Sequence, residues 1–118
     1  MPDSELRIVV LEPDKPACVK VIPNTLEAMQ GVVNGYIEIA GRFRIADRKK
    51  NLEISGVVIC NEEGRLLALP LQVVPWVGRV AGTIFFVSDD PPEMVSLPEP
   101  HAARLVEVLN HALGREEQ

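Results

Sequence analysis

Val80-Ala81-Gly82-Thr83-Ile84-Phe85-Phe86-Val87-Ser88 is the stretch whose reading decides the fold. β-Branched and aromatic side chains follow one another here with almost no polar interruption, whereas a strand with one wet face alternates apolar and polar residues. The run therefore predicts a central strand covered on both faces, ended by Asp89-Asp90-Pro91-Pro92. On its C-terminal side a helix is expected from Glu99 to Leu113. Ala102, Leu105, Val106, Leu109, Ala112 and Leu113 recur there at helical spacing on one face, and Gly114 stops it.

On the N-terminal side, Pro70 and Pro75 predict irregular backbone from Leu71 to Val77, a segment that holds the single tryptophan, Trp76. Before it, Leu52 to Cys60 reads as a strand, with Ser55-Gly56 suggesting a bulge inside it. Asn61-Glu62-Glu63-Gly64 is a hairpin signal, because Asn tolerates unusual backbone angles and Gly takes positive φ, and Arg65 to Leu69 is expected to return as a strand. Residues 42–50 predict a strand in their first half and a turn in their second. Tyr36-Ile37-Glu38-Ile39-Ala40 alternates as a short strand, with Tyr36, Glu38 and Ala40 on one face. A helix precedes it, capped by Asn24 or Thr25, with Glu27 at the capping-box position from Asn24, apolar spacing at Leu26, Met29 and Val33, and a stop at Asn34-Gly35. Gly31 inside that helix costs about 1 kcal/mol relative to alanine unless it marks close packing. Leu6 to Glu12 and Ala17 to Ile22, around Pro13-Asp14-Lys15-Pro16, form a β-hairpin. The sum is an α+β domain: a small, mostly antiparallel sheet of five to six strands with two helices, in one domain spanning residues 1–118.

The composition fits this. The 118 residues are 47% hydrophobic and 25% charged, enough to build a core without metal or disulfide staples. No apolar run approaches the ~20 residues of a membrane-spanning helix. The polar, acidic start Met1-Pro2-Asp3-Ser4-Glu5 shows no secretory signal, so a cytoplasmic setting is expected. Cys18 and Cys60, each within an apolar run, are expected to be buried, reduced core thiols.

Residue by residue, the catalytic classes find no support. His101 and His111 fall ten residues apart on one helix, about 80° apart around its axis and ~15 Å along it, too far for one metal. None of Ser4, Ser55, Ser88 or Ser96 lies in a nucleophile elbow, and Gly78-Arg79-Val80-Ala81-Gly82 lacks the ending and the following helix of a phosphate loop. No catalytic residue, metal site or cofactor is therefore assigned. One charge feature stands out. Arg42, Arg44, Arg48, Lys49 and Lys50 form a basic island between flanks carrying −3 and −6 within a chain of net charge −5. Such an island contacts a partner or is simply a solvated turn paired with nearby acids, and Trp76 is either a partner anchor or a core residue.

Several segments carry a family resemblance: Val10-Leu11-Glu12-Pro13, Thr25-Leu26-Glu27-Ala28-Met29-Gln30, Gly35-Tyr36-Ile37-Glu38, Cys60-Asn61-Glu62-Glu63-Gly64 with Leu67-Ala68-Leu69-Pro70, Gly82-Thr83-Ile84-Phe85-Phe86-Val87, and Val95-Ser96-Leu97. Taken in order over almost the whole chain, they resemble the Domain of Unknown Function 3846, found largely in Firmicutes and in their phages and mobile elements. Leu71-Gln72-Val73-Val74 and the basic stretch 42–50 depart from that pattern. The resemblance implies a small cytoplasmic accessory protein and no known reaction or cofactor. The expected function is a non-enzymatic binding or interaction module with a protein partner, using Arg42, Arg44, Arg48, Lys49, Lys50 and Trp76 as contact residues. The alternatives are a small-ligand site, for instance for a nucleotide, at Tyr36, Glu38, Asn61 and Glu62, and nucleic-acid binding through residues 42–50. A sheet with open edges and few aromatics also suggests a homodimer.

Overall fold

The computed structural model describes residues 4–49, 51–90 and 93–115. Ile84, Phe85, Phe86 and Val87 are all fully buried, so the decisive run has no wet face, and each of these side chains contributes about 1.5–3 kcal/mol by leaving water. The chain order is β1 (Glu5–Leu11), β2 (Cys18–Pro23), α1 (Leu26–Val33), β3 (Ile37–Asp47), β4 (Leu52–Asn61), β5 (Leu71–Val74), β6 (Gly78–Ala81), β7 (Ile84–Asp90), β8 (Glu93–Val95) and α2 (Glu99–Leu113). The main sheet runs β2-β1-β7-β4-β3 with every neighbour antiparallel, and β8 pairs with the far end of β7. Six strands and two helices make the expected α+β domain. β5 and β6 form a separate two-stranded ribbon.

The pleat of β7 sorts its side chains into two cores. Phe85 and Val87 point with Leu6, Ile8, Val57 and Ile59 toward α1, whose Val33 is buried among them. Ile84 and Phe86 point the other way with Val9, Leu11 and Val58, beneath Leu105 and Leu109 of α2 and Val74 and Val80 of the ribbon. The sheet is thus a middle layer, which is why its central strand carries no polar alternation. Both helices end as their sequences require. Thr25 accepts a hydrogen bond from the Ala28 amide at the start of α1, Asn34 closes α1 in the left-handed region, and Gly114 does the same for α2.

Local expectations fail where long-range pairing decides. Arg65 to Leu69 is not a returning strand, because both edges of β4 are already taken, by β3 and β7. Residues 63–69 instead form one helical turn, closed by Leu69 N–H to Gly64 O at 3.0 Å and Ala68 N–H to Arg65 O at 3.1 Å, with Ala68 at φ 53°. Leu71 to Val77 is not irregular, since it supplies β5 and the ribbon's turn. The run 80–88 is two strands, broken at Gly82 with φ 84°. Ser55-Gly56 is not a bulge: the register passes straight through it, and the shift lies between Ile39 and Gly41. Gly56 is required because a Cβ there would collide with the Val87 carbonyl oxygen. Gly31, by contrast, has open space around it, so it marks no close packing. Ala112 is exposed rather than on the packed face of α2. Cys18 is also exposed, because β2 is an edge strand, while Cys60 is buried; both are free thiols.

Candidate functional site

Asn61 ends β4 and organises everything around it. It is 5% exposed, and its Nδ2 donates to the carbonyls of Val33 at 3.0 Å and Asn34 at 3.2 Å, meeting the orphan acceptors at the end of α1. Its Oδ1 accepts the Glu63 amide at 2.8 Å, which starts the helical turn. Gly35 passes so close that any Cβ would lie 2.6 Å from Asn61 Nδ2. Asn34-Gly35 and Asn61 therefore form one latch joining α1, β4 and the 63–69 turn. The Asn61 side chain is committed to these three hydrogen bonds. Tyr36 contributes its carbonyl, which accepts the Glu62 amide at 2.8 Å, while the residue is 64% exposed and lies outside the lining of the cleft that Glu38 and Glu62 share.

Glu38 and Glu62 do come together. With Asn61 they line a cleft of about 290 Å³ between the ends of β3 and β4, the helical turn and β6. Cys60, directly opposite Glu38 in the β3–β4 register, lies in its wall. Burial and then the Glu38 charge push the Cys60 thiol above its ordinary pKa, so it is held protonated and is a poor nucleophile. Arg65 and Arg79 complete the polar lining, and Ile39, Leu66 and Val77 supply apolar wall. Neither arginine was marked by the sequence. They are fourteen residues apart, and only the ribbon, folding back over the turn, brings Arg65 Nη2 to 3.4 Å from the Arg79 carbonyl.

The basic stretch is divided by its secondary structure. β3 runs through to Asp47, and on it Arg42 pairs with Asp89 at 2.9 Å and Arg44 with Glu53 at 2.7 Å. Arg48 and Lys49 are exposed in the following turn, and Lys50 lies outside the described residues. Phe43, the one aromatic of the stretch, is 2% exposed and packs edge-on against Phe86 at a centroid distance of 5.2 Å, so it is not available to stack on a base. Asp47 faces α2, where its Oδ2 lies 3.2 Å from Arg104 Nε but off the N–H axis, an ion pair without an aligned hydrogen bond.

Trp76 occupies the tip of the ribbon. Val77 N–H donates to Val74 O at 3.2 Å across Pro75-Trp76, the geometry of a type II turn, whose third position takes positive φ and favours glycine. Trp76 sits there at φ 72°, a conformation that costs a bulky residue about 1–2 kcal/mol. Its ring leans on Phe43 at 6.0 Å and Phe86 at 6.3 Å, yet the residue stays 43% exposed. Behind the tip, Gln72 ties the ribbon to the sheet: its Nε2 donates to the carbonyls of Leu11 at 3.1 Å and Gly82 at 2.8 Å, and its Oε1 accepts from Arg115 at 3.2 Å.

Among the described residues, no group of three or more His, Cys, Asp and Glu side chains is placed to hold a metal ion, and no helix is long and apolar enough to cross a membrane. No curated protein and no solved structure matches the chain. One family model does, over residues 6–110, and its description is Domain of unknown function (DUF3846).

Proposed function

The chain belongs to DUF3846, a family of unknown function, and from that premise we propose that it is a non-enzymatic interaction module that docks a protein partner on the surface of residues 66–76. One observation carries this reading. Ten large apolar side chains are exposed among the described residues, and five of them, Leu66, Leu67, Leu71, Val73 and Trp76, fall within this short span. Scattered exposed leucines need no explanation, whereas a concentration of them on one excursion from the sheet marks a contact surface. Trp76 is the natural anchor, a half-exposed aromatic held in a strained turn. The reading makes the protein a cytoplasmic accessory factor of phage or mobile-element type, in keeping with two free thiols. Residues 42–50 take a lesser part in it, since Arg42 and Arg44 are neutralised by Asp89 and Glu53.

The test is a quantitative capture experiment in lysate of the source cell, with and without nuclease, comparing the wild-type chain with Leu66→Ser/Leu67→Ser/Val73→Ser. All three side chains are exposed, so the variant keeps its melting temperature to within a few degrees. A discrete, nuclease-resistant protein recovered by the wild type and lost by the variant supports the reading. Equal recovery by both refutes it, and recovery abolished by nuclease shifts the function to nucleic acid.

A further inference from the structure

Five ion pairs form among the described side chains, including both arginines at the start of the basic stretch. None of them involves Glu38, Glu62, Arg65 or Arg79. Two acidic residues and two arginines line one cleft of about 290 Å³, and no ion pair closes between any of them or with another described residue. Four separate elements supply them: β3, the residue after β4, the helical turn and β6. Opposite charges held apart in a concave site, with apolar wall from Ile39 and Leu66, present both halves of a complement for a ligand that itself carries both signs. The volume lies at the small end of the range for ligand sites. From this juxtaposition we infer that the cleft binds a small zwitterion of the α-amino-acid type, its ammonium at Glu38 and Glu62, its carboxylate at Arg65 and Arg79, and its apolar side chain against Ile39 and Leu66.

The cleft shares Leu66 with the partner-docking surface but takes its charged lining from outside that surface, and its zwitterion replaces the alternative of a nucleotide at Tyr36, Glu38, Asn61 and Glu62. A nucleotide brings a concentrated negative charge to a cleft where two carboxylates offset the two guanidiniums. A zwitterion meets balanced charge. The Cys60 thiol, pushed up first by burial and then by the Glu38 charge, agrees with a carboxylate at the cleft wall.

Amide-resolved NMR titration of the purified protein tests it, with three probes that differ only in charge: leucine, leucinamide, which lacks the carboxylate, and N-acetyl-leucine, which lacks the ammonium. Carried to concentrations on the order of 10 mM, the titration saturates even a millimolar site. Leucine is expected to shift the amides of residues 38–40, 61–66 and 79–81 saturably, and each blocked probe to bind about tenfold more weakly, as expected when one charged contact is lost. Glu38→Gln and Arg79→Gln, both exposed and outside the core, are each expected to weaken leucine about tenfold while the spectrum remains that of the folded chain, and Arg48→Gln to leave it unchanged. Absence of saturable shifts with leucine overturns the inference. So does equal binding of leucinamide, which makes the cleft a cation site, or equal binding of N-acetyl-leucine, which makes it an anion site.

Discussion

Replacing Asn61 by alanine removes the latch between α1, β4 and the 63–69 turn. Three hydrogen bonds are lost, two to the carbonyls of Val33 and Asn34 and one from the Glu63 amide. At about 1 kcal/mol net for each, the cost is about 3 kcal/mol. A domain of this size has an unfolding entropy near 0.25 kcal/mol/K at its midpoint, from about 2.1 cal/mol/K per residue, so the melting temperature should fall by about 12 °C. Asn61→Asp sharpens the test. The new carboxyl would face the same two carbonyls in a site only 5% exposed, which raises its folded pKa above the unfolded value of about 3.9. Where the folded pKa is the higher one, the folded state holds the proton more tightly. The deficit relative to wild type is then small below pH ~4 and grows as the pH rises through the unfolded and then the folded value, so it is largest at neutral pH. Thermal melts followed by far-ultraviolet circular dichroism between pH 4 and 7 measure both effects. A shift under about 3 °C for the alanine variant, or a deficit for the aspartate variant that does not change with pH, would refute the account of Asn61 as a structural latch.

Three further outcomes follow from the packing. Gly31→Ala should raise stability by about 1 kcal/mol, since the new methyl meets open space inside a helix, and a melt about 4 °C higher would show it. Gly56→Ala should cost more than about 3 kcal/mol or prevent folding, because its Cβ is driven into the Val87 carbonyl and the Phe43 ring; a near-neutral denaturant midpoint would contradict this backbone approach. At pH 8 an aromatic disulfide reagent should modify exposed Cys18 quickly and buried Cys60 slowly. Because the folded pKa of Cys60 is raised, its share of stability is whole below the unfolded thiol value of about 8.5 and is lost as the pH climbs toward the folded one, a loss that Cys60→Ala should abolish.

What could be read from the sequence was what local chemistry decides. The uninterrupted apolar run at 84–87 announces a two-sided strand, Thr25 and Gly114 announce helix ends, and the β1–β2 hairpin follows from its proline-bounded turn. What escaped depends on partners distant in the chain. Asn61-Glu62-Glu63-Gly64 does turn the chain, but nothing in those four residues says that both edges of β4 are already occupied. Pro70 and Pro75 looked like breakers, yet Pro75 stands at the corner of a ribbon turn and Pro70 at the ribbon's foot. Cys18 and Cys60 sit in similar apolar runs and differ because one strand is an edge and the other is central. Glu38 and Glu62 share the cleft because both lie at the ends of paired strands, whereas Arg65 and Arg79 reach it only through the fold of the ribbon.

The ribbon leaves and rejoins the sheet through feet that clasp each other: the Gly82 amide donates to the Pro70 carbonyl at 2.7 Å, and Gln72 is bonded just inside them. A segment whose entrance and exit are fixed together is closed off from the strand order it hangs from. Its outward residues Leu71 and Val73 can be exchanged without touching the residues that hold it in place. Such a device lets a lineage retarget its contacts while the folding problem stays solved, and it gives the protein engineer a ready place to graft a recognition loop.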